Sequence, residues 1–161
     1  MDVVIEEYQE ADLREIMEVW NEVVAESNAF PQDKALTEEE ARAFFGKQDV
    51  TAVAKWDGKV AGLYILHPNN VGRCGHQANA SYAVSKKLRG RNVGEQLVSH
   101  SLEKAKELNY KLLIFNAVVK GNDSAVHLYQ KLGFQKIGEV PGGFLDGAGE
   151  YRDTILFYHK L

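Results

Sequence analysis

The sequence has a single cysteine, Cys74, among its 161 residues. A lone cysteine excludes an internal disulfide and a zinc site built on cysteine ligands. Cys74 is followed by Gly75 and His76, but one cysteine near a histidine is far more often inert than a catalytic nucleophile. We therefore expect neither a metal site nor a thiol nucleophile.

Long apolar runs are also missing, and so is a basic and then apolar leader after Met1. These absences predict a protein without a membrane span or a secretory signal, and we expect it in the cytoplasm. The formal net charge is −4 and the pI is near 5.7, which argues against a nucleic-acid partner. With 45% hydrophobic residues, the chain has the length and composition of one domain spanning residues 1–161.

Apolar periodicity and turn signals predict an α/β (α+β) protein. A capping box at Thr37 and Glu40 starts the second helix, and Asp57-Gly58 marks a tight hairpin. The glycine-rich segment 141–149 is expected to be a mobile loop, either a lid or simply a loose connection. The predicted strands cover residues 3–8, 51–56, 59–67, 77–84, 111–119, 135–140 and 151–158, and the predicted helices cover 12–25, 37–45, 93–108 and 122–132.

The most informative segment joins the strand 77–84 to the helix that begins at Val93. Its residues 89–94 read Arg-Gly-Arg-Asn-Val-Gly, and Lys86 and Lys87 precede them. Helix N-termini carry unpaired backbone N–H groups and a partial positive charge, so a short glycine-bearing turn suits a phosphate. The basic residues add positive charge at this point of an acidic chain. An ordinary solvated turn is the alternative.

A largely apolar strand and a short helix follow. The strand 111–119 is interrupted only by Asn116, and we expect it to be covered on both faces. The helix has capping residues at Asn122 and Asp123, contains Tyr129, and stops at Gly133. The order is strand, phosphate turn, helix, strand, helix, strand.

Residues 78–134 resemble two motifs of the GCN5-related N-acetyltransferase (GNAT) superfamily. Its first motif falls on Arg89, Asn92 and Gly94; asparagine replaces the usual middle glycine, and asparagine tolerates a left-handed backbone. The second motif falls on Asn122, Ser124 and Tyr129 and ends with the family's Leu-Gly-Phe at 132–134.

The resemblance implies the GNAT fold and an acetyl-CoA-dependent N-acetyltransferase. That fold has a central mixed, largely antiparallel sheet of seven strands, splayed between strands 4 and 5, and about four helices. Family members often form homodimers, so the resemblance also allows a homodimer. The carried-over cofactor residues are Tyr82, Ala83, Val84, Arg89, Gly90, Arg91, Asn92, Val93, Gly94, Asn122, Ser124 and Tyr129.

Tyr129 matches the family's tyrosine that protonates the departing thiolate, with core packing as its alternative role. We assign no general base, because His67, His76, Glu150 and water are equally conceivable.

For the acceptor, Asn79 and Asn116 interrupt neighbouring strand-like segments at the expected splay. Each amide either contacts substrate or satisfies backbone groups there. A closer similarity to GNAT members that acetylate amino-acid-like amines, including azetidine-2-carboxylate acetyltransferases, implies a substrate role for both. We expect a small-molecule amine acceptor, with a protein or peptide acceptor or a non-catalytic acetyl-CoA-binding module as alternatives.

Overall fold

The computed structural model describes residues 3–161. Its seven strands are β1 (Val4–Glu7), β2 (Val50–Trp56), β3 (Lys59–Pro68), β4 (Gln77–Val84), β5 (Leu112–Val119), β6 (Gln135–Leu145) and β7 (Tyr151–Lys160). The α-helices in this part of the chain are α1 (Leu13–Glu26), α2 (Glu38–Gly46), α3 (Val93–Glu107) and α4 (Asp123–Lys131). None of the helices within residues 3–161 is long and apolar enough to cross a membrane.

The seven strands form one mixed sheet in the order β1-β2-β3-β4-β5-β7-β6. All neighbours are antiparallel except β4 and β5, which run parallel. The predicted fold class is therefore confirmed. Helices α1 and α2 cover one face of the sheet around Trp20 and Phe45, and α3 packs on the other face around Leu97 and Phe157.

Local signals in the sequence set several element ends. The Thr37 and Glu40 side chains each accept a hydrogen bond from the other residue's backbone N–H, which starts α2. Asp57 and Gly58 both have positive φ, at 51° and 75°, as the predicted tight hairpin requires. Asn109 has φ 66° just beyond α3 and ends that helix.

The sheet splays at its centre. Strands β4 and β5 share only two residue pairs, Gln77 with Leu112 and Ala78 with Leu113, and then diverge. Our expectation that β5 is covered on both faces was wrong, because Asn116 is exposed where the strand leaves its neighbour. The register against β7 breaks at the same point, between Phe115 and Val118.

The expected loop at 141–149 was wrong for residues 141–145, which belong to a strand. Strand β6 continues through Leu145 and pairs with β7 again after a register break between Val140 and Phe144. Gly143 lies so close to β7 that a Cβ there would be 2.5 Å from Thr154 Oγ1. Glycine at this position therefore allows the backbone of β6 to approach β7 closely. The remaining turn, 146–150, is organised by Asp146, whose Oδ1 accepts from two backbone N–H groups.

Candidate functional site

The divergence of β4 and β5 opens a cavity of about 1030 Å³. Its walls are the two strands, the turn before α3, the first two turns of α4, the end of α1 and the turn between β6 and β7. This volume lies at the upper end of the range for ligand pockets, which leaves room for a cofactor and an acceptor together.

The turn before α3 has the backbone shape that an anion site requires. Gly90 has φ 79° and Asn92 has φ 61°, so the prediction of a left-handed asparagine is confirmed. The first N–H groups of α3, at Val93, Gly94 and Glu95, precede the first intrahelical bond, which Gln96 makes to Asn92 O. Gly90, Asn92, Val93 and Gly94 line the cavity. Several donors thus converge at one point of positive helix potential.

The charged side chains of this turn are less available than the sequence suggests. Arg89 makes two hydrogen bonds to Glu26 on α1, with N–O distances of 2.5 and 2.8 Å. These bonds raise the pKa of Arg89 and lower that of Glu26. The Arg91 guanidinium lies 4.6 Å from the centre of the Trp56 ring. With Arg89 and Arg91 engaged in this way, the backbone N–H groups at the start of α3 are the donors that the turn leaves free.

The register of β4 decides which of its backbone groups face the splay. Along an antiparallel pair, residues that bond the neighbour alternate with residues that point away. At one end of β4 the Ser85 N–H donates to Ala61 O, and at the other the Asn69 N–H donates to Gln77 O. The odd-numbered residues of β4 therefore bond β3, and the even-numbered ones point toward β5.

Only part of the predicted strand contact faces the cavity. Tyr82 and Val84 direct their N–H and C=O groups into the splay, where β5 has moved away. Ala83 is paired with Leu63 on β3 and is 1% exposed. The backbone groups of Ala83, which were predicted to contact the cofactor, thus point away from the cavity. Those of Ala80, which were not predicted, face it without a strand partner.

Helix α4 brings the second motif to the opposite wall. At its start the Ser124 hydroxyl lies 3.3 Å from Asn122 Oδ1, and both residues line the cavity. Tyr129 lies two turns later, with its ring centre 4.5 Å from that of Phe115. Burial raises the pKa of Tyr129, and among residues 3–161 its hydroxyl has no hydrogen-bond partner. The phenol is therefore protonated at neutral pH and able to donate.

The two asparagines line the cavity in different ways. Asn79 is partly buried, and its Nδ2 donates to Ile114 O at 2.7 Å, just beyond the last pair of β4 and β5. This bond spans the gap where strand pairing stops. Asn116 is exposed, and its Nδ2 donates to Asn69 Oδ1 at 2.7 Å. Asn79 is thus the more buried of the two, and each amide retains an Oδ1 that accepts hydrogen bonds.

A strap formed by Glu26 and Ser27 crosses the open end of the splay. Glu26 binds Arg89 on the β4 side, and Ser27 O accepts from the Gly147 N–H at 3.2 Å on the β6–β7 side. Gly147 is required there, since a Cβ would be 2.6 Å from Ser27 Cβ. Sequence reasoning missed the strap because its partners are far apart in the chain and carry no local motif.

Comparisons with known proteins agree with this geometry. The acetyltransferase (GNAT) family model matches residues 7–134. N-acetyltransferase aca1 of Schizosaccharomyces pombe is 28% identical over 149 residues, covering 81% of this chain and 71% of that protein. A GCN5-related N-acetyltransferase from Kribbella flavida superposes with a TM-score of 0.91 at 32% identity, covering 99% of this chain and 98% of the other.

A phosphinothricin acetyltransferase from Sinorhizobium meliloti, crystallised with acetyl-CoA, shares the fold with a TM-score of 0.92 at 22% identity, covering 100% of this chain and 89% of the other. The cavity described above suits such a molecule, because it joins a set of free N–H groups to an unpaired strand edge. The family match and the fold give one conclusion: the chain belongs to the GNAT acetyltransferase family and is an N-acetyltransferase with acetyl-CoA as its co-substrate.

Proposed function

We propose that the acceptor is the amine of a small molecule, an amino acid or an amino-acid analogue, and that residues 1–161 act as one catalytic domain. The observation that carries this proposal is the strap of Glu26 and Ser27, which spans the open end of the splay. A peptide acceptor needs an extended groove beside the thioester. A cavity crossed by a strap on that side favours a compact acceptor. The cytoplasmic location and the homodimer stay predictions.

The wall behind the strap contains packed apolar residues. Phe30 is 8% exposed, and its ring centre lies 4.3 Å from that of Trp20 on α1. Pro31 follows it and also lines the cavity. Such a wall limits the size of the acceptor. It does not attract a positively charged acceptor strongly, because the charge of the neighbouring Glu26 is already neutralised by Arg89.

The proposed cofactor contacts divide between backbone and side chain. The N–H groups of Val93 and Gly94 bind pyrophosphate at the start of α3. The edge of β4 at Tyr82 and Val84 pairs with the amide-bearing arm in the manner of an added strand. Acetyl-CoA, when bound, supplies the acetyl thioester.

Tyr129 is the proposed acid. Its hydroxyl donates a proton to the departing sulfur, and the raised pKa keeps that proton in place at neutral pH. The aromatic neighbours Phe115 and Phe134 hold the ring, with centres 4.5 and 5.6 Å away.

The asparagine contacts favour an amine over a carboxylate at this end of the cavity. Because Ile114 O can only accept, Asn79 must turn its Nδ2 toward it, and its Oδ1 is left as an acceptor. An amine supplies the N–H donor that such an oxygen needs. We propose that Asn79 Oδ1 and Asn116 Oδ1 orient the nucleophilic nitrogen.

Thiol release from acetyl-CoA, measured with matched acceptors, tests the proposal. Each free amino acid, including cyclic secondary amino acids, is compared with a short peptide that begins with the same residue. We expect a kcat/KM at least roughly tenfold higher for the preferred free amino acid, a difference of about 1.4 kcal/mol. If peptides were acetylated as fast as the free amino acids or faster, the protein would instead be a peptide N-acetyltransferase.

The two asparagines are expected to separate stability from acceptor use. Asn79→Ala leaves Ile114 O without its partner, which costs about 1–3 kcal/mol and lowers the thermal midpoint. Asn116→Ala removes an exposed contact and should change the free energy of unfolding by less than about 0.5 kcal/mol. Calorimetric unfolding and acceptor kinetics measure the two effects.

Both substitutions should lower acceptor kcat/KM and leave acetyl-CoA affinity intact. Normal acceptor kinetics in Asn116→Ala would remove that residue from the acceptor site, and the same result in Asn79→Ala would leave Asn79 with a structural role alone.

A further inference from the structure

Two tyrosines link the sheet to α3 in the same way. Tyr64 on β3 and Tyr82 on β4 are paired across the two strands, and their rings lie 6.0 Å apart. The Tyr64 hydroxyl contacts His100 Nδ1 at 2.8 Å, and the Tyr82 hydroxyl contacts Ser101 Oγ at 2.7 Å. Successive residues of α3 thus bind paired residues of the sheet.

The direction of the Tyr82 bond is fixed by its surroundings. Ser101 is fully buried, and its hydroxyl donates to Val98 O at 2.7 Å, which uses its only proton. Tyr82 must therefore donate to Ser101. The phenol cannot be satisfied by water at that depth, so loss of Ser101 Oγ leaves it unpaired.

Only one of the two tyrosines belongs to the cavity. Tyr82 lines it and carries backbone groups of the open β4 edge, whereas Tyr64 is fully buried and lies outside the lining. The Tyr82 ring also lies 6.4 Å from that of Tyr129 and 5.8 Å from that of Phe115. One side chain therefore touches α3, the strand edge and the proposed acid.

We propose that Ser101 is a positioning residue for acetyl-CoA, acting through the Tyr82 hydroxyl. The inference rests on the cofactor placement proposed above. The pyrophosphate and the amide-bearing arm of acetyl-CoA are covalently joined. To bind both groups at once, the N-terminus of α3 and the edge of β4 must therefore stay at a fixed distance from each other. Ser101 lies eight residues into α3, about 12 Å along the axis from Val93. The hydrogen bond that Tyr82 donates to Ser101 fixes the position of α3 along β4.

The pairing of the tyrosines supplies a matched control. Tyr82→Phe and Ser101→Ala each remove the bond at the cavity, and Tyr64→Phe removes the equivalent bond away from it. All three lose one phenol contact to α3, so we expect each to lower the thermal midpoint, most of all Ser101→Ala, because it leaves the Tyr82 hydroxyl unpaired. If the bond at the cavity has a purely structural role, the three variants should not differ in their affinity for coenzyme A.

Calorimetric titration with coenzyme A, which needs no acceptor, tests the proposal whatever the acceptor is. We expect Ser101→Ala and Tyr82→Phe to raise the Kd roughly fivefold or more, and the double variant to be no weaker than the singles, because they share one bond. Tyr64→Phe should stay within about twofold of the unsubstituted protein. An unchanged Kd in Ser101→Ala, or an equal rise in Tyr64→Phe, overturns the proposal.

A fragment separates positioning from local damage. ADP reaches the phosphate turn but not the β4 edge, so its Kd should be the same in Ser101→Ala and in the unsubstituted protein. Equal weakening of ADP and coenzyme A would show that the substitution disturbs α3 itself, and the positioning role would be abandoned. Failure of coenzyme A to bind the unsubstituted protein would instead overturn the cofactor placement.

Discussion

Replacing Tyr129 with phenylalanine is expected to lower kcat roughly 100-fold while the Kd for acetyl-CoA changes little. The hydroxyl has no hydrogen-bond partner among residues 3–161, and the ring packing against Phe115 is unchanged in phenylalanine. The thermal midpoint should therefore stay close to that of the unsubstituted protein. Steady-state kinetics and calorimetry give the two quantities.

Tyr110→Phe is the control, because Tyr110 donates its hydroxyl to Asp49 outside the cavity lining. That variant should lose stability and keep its kcat. An unchanged kcat in Tyr129→Phe, with chemistry rate-limiting, would leave Tyr129 with a packing role alone.

The direction of the Tyr129 pKa shift adds a pH test. Burial raises the pKa above the ordinary value of about 10, so the acid form persists on the alkaline side of that value. We expect no loss of kcat from Tyr129 ionisation below about pH 10. A kcat that falls below that pH in the unsubstituted protein, but not in Tyr129→Phe, would contradict the raised pKa.

The second large effect is expected at Gly94, where valine should weaken acetyl-CoA binding at least roughly tenfold, or about 1.4 kcal/mol. A Cβ at this position meets Leu128 at 3.7 Å and Val84 at 3.8 Å, ordinary contact distances, so alanine is accommodated. The two methyl groups of valine add bulk at this cavity-lining position, beside the donors of the first helical turn. Titration calorimetry with coenzyme A should rank valine as far weaker than alanine.

Gly46→Val controls for placing a β-branched residue in a helix, because a Cβ at this last residue of α2 meets no atom within 4 Å beyond its chain neighbours and the backbone of its own helix. It should bind coenzyme A normally. If Gly94→Val also binds normally, the pyrophosphate lies elsewhere.

Features with a local cause could be predicted from the sequence. The left-handed backbone at Asn92 follows from the tolerance of asparagine for positive φ. The hairpin at Asp57 and Gly58 follows from the same tolerance in aspartate and glycine. The boundaries of β4 follow from a continuous strand pattern between turn signals, and the predicted range 77–84 is confirmed.

Features that depend on distant partners could not be predicted. Arg89 reads as a phosphate ligand until α1 brings Glu26 to it from 63 residues away. Gly143 reads as part of a loop, because nothing in its neighbourhood reveals the close approach to Thr154. The direction of the Ala83 backbone depends on the register with β3, and a single strand carries no record of that register.

The sparse pairing of β4 and β5 is expected to link cofactor concentration to folding stability. With two residue pairs at the centre, the sheet has a seam where we expect backbone amides to exchange their hydrogens with solvent more readily than in the fully paired strands on either side. At the proposed site, the arm of acetyl-CoA restores hydrogen bonding along that seam. The donor then acts as a structural ligand as well as a reactant, and the folded state becomes more populated as its concentration rises above its Kd.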